Sequence, residues 1–125
     1  MAALPPAVKE AWDNRKGPAI LATIDVEGMP NIIYVSCLGR RGDDALVVAD
    51  NYFDKTRSNI QAGSKGSFLF MGADGKPYQV KGPIEYHTDG PAFDDMKTWN
   101  PQNHPGNAAA VLKVEAVYSG AQKLA

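Results

Sequence analysis

The chain of 125 residues has little of the chemistry that several functional classes require. Cys37 is its only cysteine, which excludes an intramolecular disulfide and any metal site built from several cysteines. The formal net charge is −1, so no overall attraction to nucleic acid or to an anionic membrane is expected. No apolar run approaches the ~18 residues of a membrane span, and residues 1–6 lack the basic and apolar regions of a signal peptide. We therefore expect one cytoplasmic domain over residues 1–125 that binds neither nucleic acid nor membrane.

What the chain does have is a succession of short apolar runs separated by turn residues. The pattern predicts three helices, over about 5–14, 55–61 and 91–99, and six strands, over 19–24, 31–38, 45–49, 67–71, 78–86 and 108–118. Residues 39–44 are predicted as a hairpin loop between the second and third strands. Strand–helix alternation is missing over the first three strands, which argues against a doubly wound sheet. We predict a mainly β fold: a small antiparallel β-barrel with helices covering its openings.

The most informative stretch is the step from the third predicted strand into the second helix. Asp54 is predicted to cap that helix, whose first residues are Lys55 and Thr56. The first N–H groups of a helix have no intrahelical partner, and Lys55 and Thr56 add an ammonium and a hydroxyl at the same point. These features predict a cradle for one phosphate group. The alternative is an ordinary capped surface helix with solvated Lys55 and Arg57.

Three segments occur in an order that is characteristic of one protein family. Residues 54–60 place two candidate phosphate ligands at a helix start, followed by an amide and an aliphatic residue. Residues 78–82 read Tyr-Gln-Val-Lys-Gly, and residues 88–93 read Thr-Asp-Gly-Pro-Ala-Phe. In this order they resemble the split-barrel flavoproteins related to pyridoxamine 5′-phosphate oxidase, especially the short bacterial FMN-binding proteins. The resemblance covers roughly residues 17–120 and implies a split β-barrel of Greek-key type that binds FMN.

The resemblance also implies which residues hold FMN. Lys55 and Thr56 bind the phosphate, the strand at 31–38 lines the flavin with its backbone, and Gln79 reaches the ring from a neighbouring strand. Because Ser36 and Cys37 point to opposite faces of a strand, only one of them is expected at the ligand. The expected cofactor-binding residues are Ile33, Tyr34, Val35, Ser36, Asp50, Asn51, Lys55, Thr56 and Gln79.

Each of these residues also has an ordinary interpretation. Tyr34 and Gln79 could be surface residues of a strand, and Asp50 and Asn51 could be simple turn residues. If Asp50 does lie near the ring, its carboxylate should lower the reduction potential of the flavin. No residue is expected to act as a catalytic acid, base or nucleophile, and no metal ligands are expected.

The chain departs from the true pyridoxamine phosphate oxidases. Those enzymes resemble one another in a C-terminal segment that supplies arginine and histidine to the substrate, and residues 118–125 contain neither. Oxidation of a vitamin B6 phosphate is therefore not expected. An FMN flavoprotein that transfers electrons, or reduces an unknown acceptor, fits better, and the sequence does not identify its redox partner.

Two further hypotheses about the ligand stay open. In the first, the same barrel binds a different ligand, either a deazaflavin or a haem with His104 or His87 as axial ligand. In the second, the protein is a binding module without a cofactor. One chain of this size leaves one side of a flat flavin uncovered, so we expect a homodimer. The resemblance implies the same arrangement, with FMN at the subunit interface. The late helix, the loop at 100–107 and the C-terminal tail are the segments expected to reach across.

Overall fold

The computed structural model of the chain describes residues 2–125. Within those residues the chain forms three helices and nine strands. The helices are α1 (Pro6–Asp13), α2 (Lys55–Gln61) and α3 (Gly90–Trp99). The strands are β1 (Ala19–Ile24), β2 (Pro30–Val35), β3 (Leu38–Arg41), β4 (Ala45–Asp50), β5 (Lys65–Met71), β6 (Pro77–His87), β7 (Ala108–Lys113), β8 (Ala116–Ser119) and β9 (Gln122–Lys123).

The strands form one curled antiparallel sheet. Their order is β2-β1-β5-β6-β7-β4-β3, with β8 beside β6 and β9 beside β8. β6 serves both halves of the sheet, since residues 79–81 pair with β8 while residues 84–87 pair with β7. Strand twist curls a sheet of this width on itself. The result is a half-barrel with three helices, which confirms the predicted mainly β, antiparallel fold.

Gly82 marks the place where β6 changes partner. A Cβ at this position would overlap the carbonyl oxygen of Lys113, at the end of β7. Just beyond, Glu115 donates its backbone N–H to the Lys81 carbonyl oxygen at 2.8 Å. This close approach of two backbones lets β8 replace β7 beside β6. The predicted single strand at 108–118 is therefore two strands, and that prediction was wrong.

The second predicted strand is also shorter than expected. The prediction of one strand over 31–38 was wrong, because β2 ends at Val35 and a separate strand, β3, begins at Leu38 and runs into the predicted loop at 39–44. β2 pairs with β1, whereas β3 pairs with β4 in the other half of the sheet. Ser36 and Cys37 connect β2 to β3. Apolar periodicity marks extended segments, but it does not show where a strand changes partner.

The main core lies between the curled sheet and α1. Trp12 is 1% exposed and packs edge-on against Phe68 and Phe70, with ring centroids 5.3 and 5.0 Å away. Its indole Nε1 donates to the carbonyl oxygen of Gly39 at 3.1 Å. A second cluster around Met96 joins α3 to β4 and β7. These contacts pack α1 and α3 against the half-barrel, in agreement with the predicted covering helices.

Candidate functional site

A cavity of about 330 Å³ opens between β2, the end of β4 and the start of α2. Its volume lies at the lower end of the range of small-molecule sites. All of the predicted cofactor-binding residues except Asp50 and Gln79 line it. The lining consists of Asn31, Ile33, Tyr34, Val35, Ser36, Cys37, Val48, Ala49, Asn51, Tyr52, Phe53, Asp54, Lys55, Thr56 and His104.

One end of the cavity carries an ammonium group and a hydroxyl group. Lys55 is exposed and forms no salt bridge with any residue between 2 and 125. Thr56 is buried, and its Oγ1 accepts a hydrogen bond from Asn31 Nδ2 at 3.0 Å. A threonine hydroxyl that accepts one bond still has its own hydrogen to donate. This end of the cavity therefore presents a positive charge and a hydroxyl donor.

The start of α2 differs from the prediction in one respect. Asp54 occupies the N-cap position, but its side chain makes no capping hydrogen bond. Its φ of −134° and ψ of −85° lie outside the extended region that N-cap residues usually adopt. The predicted capping carboxylate was therefore wrong. α2 also has only seven residues, so its aligned peptide dipoles add little, and the side chains of Lys55 and Thr56 must do most of any anion binding.

The edge strand β2 forms a second wall of the cavity. It lies at one end of the strand order, so its outer edge pairs with no other strand among the described residues. No loop in residues 2–125 supplies a backbone hydrogen bond to residues 30–35 either. Such backbone N–H and C=O groups are available to a flat ligand with polar edges. Val35 points into the core, while Tyr34 is 76% exposed on the outward face.

The break after β2 brings both of its residues to the cavity. Ser36 and Cys37 both belong to the lining, although strand alternation predicts only one of them there. They lie between β2 and β3 and are not part of either strand, so the alternation does not apply.

Asp50 lies behind the cavity lining. Its side chain is fully buried and accepts hydrogen bonds from Arg57 Nε at 2.7 Å and Nη2 at 3.0 Å. The Phe53 backbone N–H, at 3.0 Å, and the Tyr86 hydroxyl also donate to it. Burial alone would raise the pKa of Asp50, but these bonds and the charge of Arg57 outweigh it and hold the pKa below its ordinary value. The carboxylate is thus a buried, fully engaged counter-ion of Arg57.

Asn51 belongs to a different network, which holds the loop after α3. Its side-chain amide exchanges two hydrogen bonds with that of Asn100, at 3.1 and 2.9 Å. Asn51 Oδ1 also accepts the Gly106 backbone N–H at 2.9 Å. Both asparagines are buried. Because these bonds fix the loop at both ends, His104 is held at the cavity wall.

Sequence reasoning missed the Tyr52–His104 pair. The Tyr52 hydroxyl and His104 Nδ1 lie 3.1 Å apart, and the two rings meet edge-on with centroids 5.6 Å apart. The two residues are far apart in the chain, so no local pattern could join them. Asn31 was also missed. Alternate residues of a strand share a face, so Asn31 lies on the same face as Ile33 and Val35, and this pattern could have identified it.

Gln79 lies on the outward face of the sheet and away from the cavity. Strand register places it in one row, Tyr34–Ile20–Leu69–Gln79–Tyr118. Three strand spacings separate Gln79 from Tyr34, which is on the order of 14 Å. A glutamine side chain does not span that distance, so Gln79 does not reach the cavity of its own chain.

The described residues contain no metal cluster. Between residues 2 and 125, no three His, Cys, Asp or Glu side chains lie close enough together to hold a metal ion. His87 pairs with Glu85 instead, at 2.9 Å. None of the helices in this range is long and apolar enough to cross a membrane.

The geometry agrees with the family that the sequence resembles. The family model of pyridoxamine 5′-phosphate oxidase matches residues 4–120, nearly the whole chain. The chain belongs to the pyridoxamine 5′-phosphate oxidase family. This membership confirms the resemblance on which the predicted split barrel rested.

One curated protein and several solved structures are similar to this chain. An uncharacterised protein of Methanocaldococcus jannaschii is 28% identical over 107 residues, which are 79% of this chain and 70% of that protein. HupZ of Group A Streptococcus has a TM-score of 0.80 at 24% identity, over 93% of each chain. An FMN-binding protein of Syntrophomonas wolfei has a TM-score of 0.77 at 24% identity, over 91% of this chain and 86% of that one. At these identities the two structures establish the shared split-barrel fold alone.

Structures with the pyridoxamine 5′-phosphate oxidase fold differ in the cofactors that their names carry. Besides the FMN-binding protein, they include an F420 reductase, with a TM-score of 0.63, and HutZ, the haem storage protein of Vibrio cholerae, with a TM-score of 0.66. Membership of the family therefore does not by itself identify the ligand of this chain.

Proposed function

We propose that this protein binds FMN and transfers electrons or hydride between a donor and an acceptor. One observation carries the proposal. A single cavity has Lys55 and Thr56 at one end, and along one wall it has the outer edge of β2, which pairs with no other strand among the described residues. FMN presents the matching groups: an anionic phosphate, a polyhydroxyl chain and a flat ring with polar edges.

The phosphate end of the proposed site depends on two side chains. Lys55 binds the phosphate as a point charge, and Thr56 donates its hydroxyl hydrogen. Asn31 orients that hydroxyl, because its amide donates to Thr56 Oγ1 and directs the hydroxyl hydrogen elsewhere. These contacts would make the affinity for FMN depend on its phosphate group.

The ring end depends on backbone groups. Every second residue of an antiparallel strand directs its N–H and C=O groups to the outer edge, and such groups within Ile33, Tyr34 and Val35 are suited to hydrogen bonds with the ring edge. Ile33 and Val35 supply the apolar side of the wall. Bound FMN would supply the electron or hydride chemistry, while the protein would supply binding, orientation and exclusion of water.

We also propose a homodimer that forms through the outward face of the sheet. Ile32 and Tyr34 are 68% and 76% exposed there, and Leu69 is exposed on the same face. An exposed apolar face of this kind is usually covered by a partner, and twofold symmetry is the simplest closure. In such a dimer, Gln79 of one copy can approach the cavity of the other beside Tyr34.

Haem is the second candidate ligand, and one observation favours it. His104 lies in the cavity wall, and its Nδ1 is occupied by Tyr52, which leaves Nε2 for another partner. His87 is bonded to Glu85 and does not line the cavity. The haem hypothesis therefore now depends on His104.

The absorption spectrum of the purified protein tests the proposal. After incubation with FMN and gel filtration, we expect flavin bands to co-elute with the protein. A Soret band after incubation with haemin, without retention of FMN, would favour haem instead. Retention of neither chromophore would contradict both and favour a cofactor-free module.

A further inference from the structure

The buried Asp50 carboxylate joins three separate parts of the chain. It stands at the end of β4, and its partners lie in the following turn, in α2 and in β6. Arg57 approaches it with two nitrogens, Nε at 2.7 Å and Nη2 at 3.0 Å, and Tyr86 donates its hydroxyl. The Phe53 N–H completes the set at 3.0 Å. We call these four residues the Asp50 clamp.

The Asp50 clamp closes the chain segment that forms the phosphate end of the cavity. Asp50 and Arg57 lie on either side of residues 51–56, and all six of those residues line the cavity. Neither Asp50 nor Arg57 lines it. Fixing both ends of so short a segment limits the positions that Lys55 and Thr56 can take.

The charge of Asp50 is cancelled where it lies. Its side chain is 0% exposed, and the guanidinium that neutralises it is in bidentate contact. A neutralised pair behind the wall exerts little field on a ligand in the cavity. Its influence on a ligand must therefore come through the geometry of the segment that it holds.

We infer that Asp50 is a positioning residue for the phosphate of the ligand and acts through Arg57 and the 51–56 segment. This inference rests on the proposed function, and it replaces the expectation that Asp50 tunes the flavin ring by its charge. Its signature is selective: loss of the clamp should weaken binding of FMN more than binding of riboflavin, which lacks the phosphate.

Asp50→Asn is the direct test, because it keeps the shape of the side chain. The new amide nitrogen would face the Arg57 donors, so the bidentate contact is lost. We expect the Kd for FMN to rise about tenfold while the Kd for riboflavin stays within about twofold. Tyr86→Phe removes one bond to the same carboxylate and should give a smaller change in the same direction. If Asp50→Asn does not fold, Tyr86→Phe still tests the inference.

The chain offers a matched control. Asp13 and Arg40 form the same bidentate contact, at 3.1 and 2.7 Å, on the surface between α1 and β3. Asp13→Asn should leave the affinities for both flavins unchanged. Amide hydrogen exchange in the ligand-free proteins adds a readout that needs no flavin: Asp50→Asn should speed exchange across residues 51–57, and Asp13→Asn should not.

The outcomes separate this inference from the proposed function. Equal weakening of FMN and riboflavin by Asp50→Asn would overturn the inference, because it would show a general structural role. Unchanged FMN binding in both Asp50→Asn and Tyr86→Phe would overturn it as well. A wild-type protein that binds neither flavin would refute the proposed function, even if hydrogen exchange showed that the clamp holds the segment.

Discussion

Asp50 and Asn51 are consecutive and buried, and each bonds to a different segment beside one cavity. Asp50 bonds to α2 through Arg57, and Asn51 bonds through Asn100 to the loop that carries His104. Asp50 is the last residue of β4 and Asn51 is the first residue after it, so the two adjacent side chains reach different neighbours. Both are satisfied inside the protein, as buried polar groups must be.

The bonding of Asp50 predicts a pH dependence of stability. Burial works against the ionised form, but the donated hydrogen bonds hold its pKa below the ordinary value. Between the folded and the unfolded pKa, the unfolded chain binds more protons, so the free energy of unfolding falls as the pH is lowered through that window. We expect the stability from this group to be complete above about pH 5 and to be lost progressively as the pH falls from about 4 through the lowered pKa of the folded state.

Urea unfolding at a series of pH values measures this dependence. The free energy of unfolding of the wild type should fall more steeply below about pH 4 than that of Asp50→Asn, which has no carboxylate to protonate. Parallel curves for the two proteins would contradict the assignment of Asp50 as an ionised, buried partner of Arg57.

Single residues of the site were predictable to different degrees. Lys55 and Thr56 could be predicted because a strand end, a helix start and two suitable side chains are adjacent in the sequence. The contact between Asp50 and Tyr86 and that between Tyr52 and His104 could not, since they depend on tertiary packing of distant segments. For Asp54 the sequence predicted a contact that the structure lacks: the residue occupies the N-cap position, but its side chain makes no capping hydrogen bond.

At the scale of elements, the corner at Gly82 tests the account of the sheet. Gly82→Ala would force a Cβ into the Lys113 carbonyl oxygen, and backbone atoms cannot give way cheaply. We expect a loss of at least about 2 kcal/mol in the free energy of unfolding, measured by urea denaturation.

Gly66→Ala is the matched control for this substitution. Gly66 is the register partner of Gly82 on β5, and the three atoms nearest to its added Cβ would be side-chain atoms of Ile84 and Leu21. Those atoms can shift, so the cost should stay below about 1 kcal/mol. Similar losses for both variants would show that the close backbone approach is not what requires a glycine at position 82.

Changes of strand partner, such as the one at Gly82, explain why the ends of the strands were harder to predict than their existence. Residues 108–118 and 31–38 each read as one extended run, and each contains a change of strand partner. Such changes are set by the closure of the sheet, which is a property of the whole fold. The order of helices and strands was predictable because it follows from local periodicity and turns.

At the scale of the whole molecule, the proposed dimer makes a separate prediction. Light scattering in the presence of FMN should give twice the 13.4 kDa chain mass at micromolar concentration. Leu69→Lys places a charge in the outward row beside Gln79 and should shift the protein towards the monomer and weaken FMN binding. Ala7→Lys, on the exposed side of α1, is the control and should leave the mass unchanged. A wild-type mass of one chain would refute the dimer.

The fold was predictable from the sequence as a whole, whereas the site was predictable only in part. Family resemblance and the order of apolar runs both led to a small antiparallel β-barrel, and the structure has the corresponding half-barrel. Gln79 shows the limit: its strand was predicted, yet its distance from the cavity depends on a register that no single segment contains. In the proposed dimer, a second copy of the chain would bring it close to the ligand.

The central claim is that FMN binds with its phosphate at Lys55, and the affinity of Lys55→Ala for FMN tests it most directly. Loss of one charge-assisted contact should raise the Kd about ten- to hundredfold, as measured by quenching of flavin fluorescence. Arg41→Ala, which removes a charge outside the cavity, should bind FMN like the wild type, and riboflavin should bind wild type and Lys55→Ala alike. Equal affinity of wild type and Lys55→Ala for FMN would contradict the account.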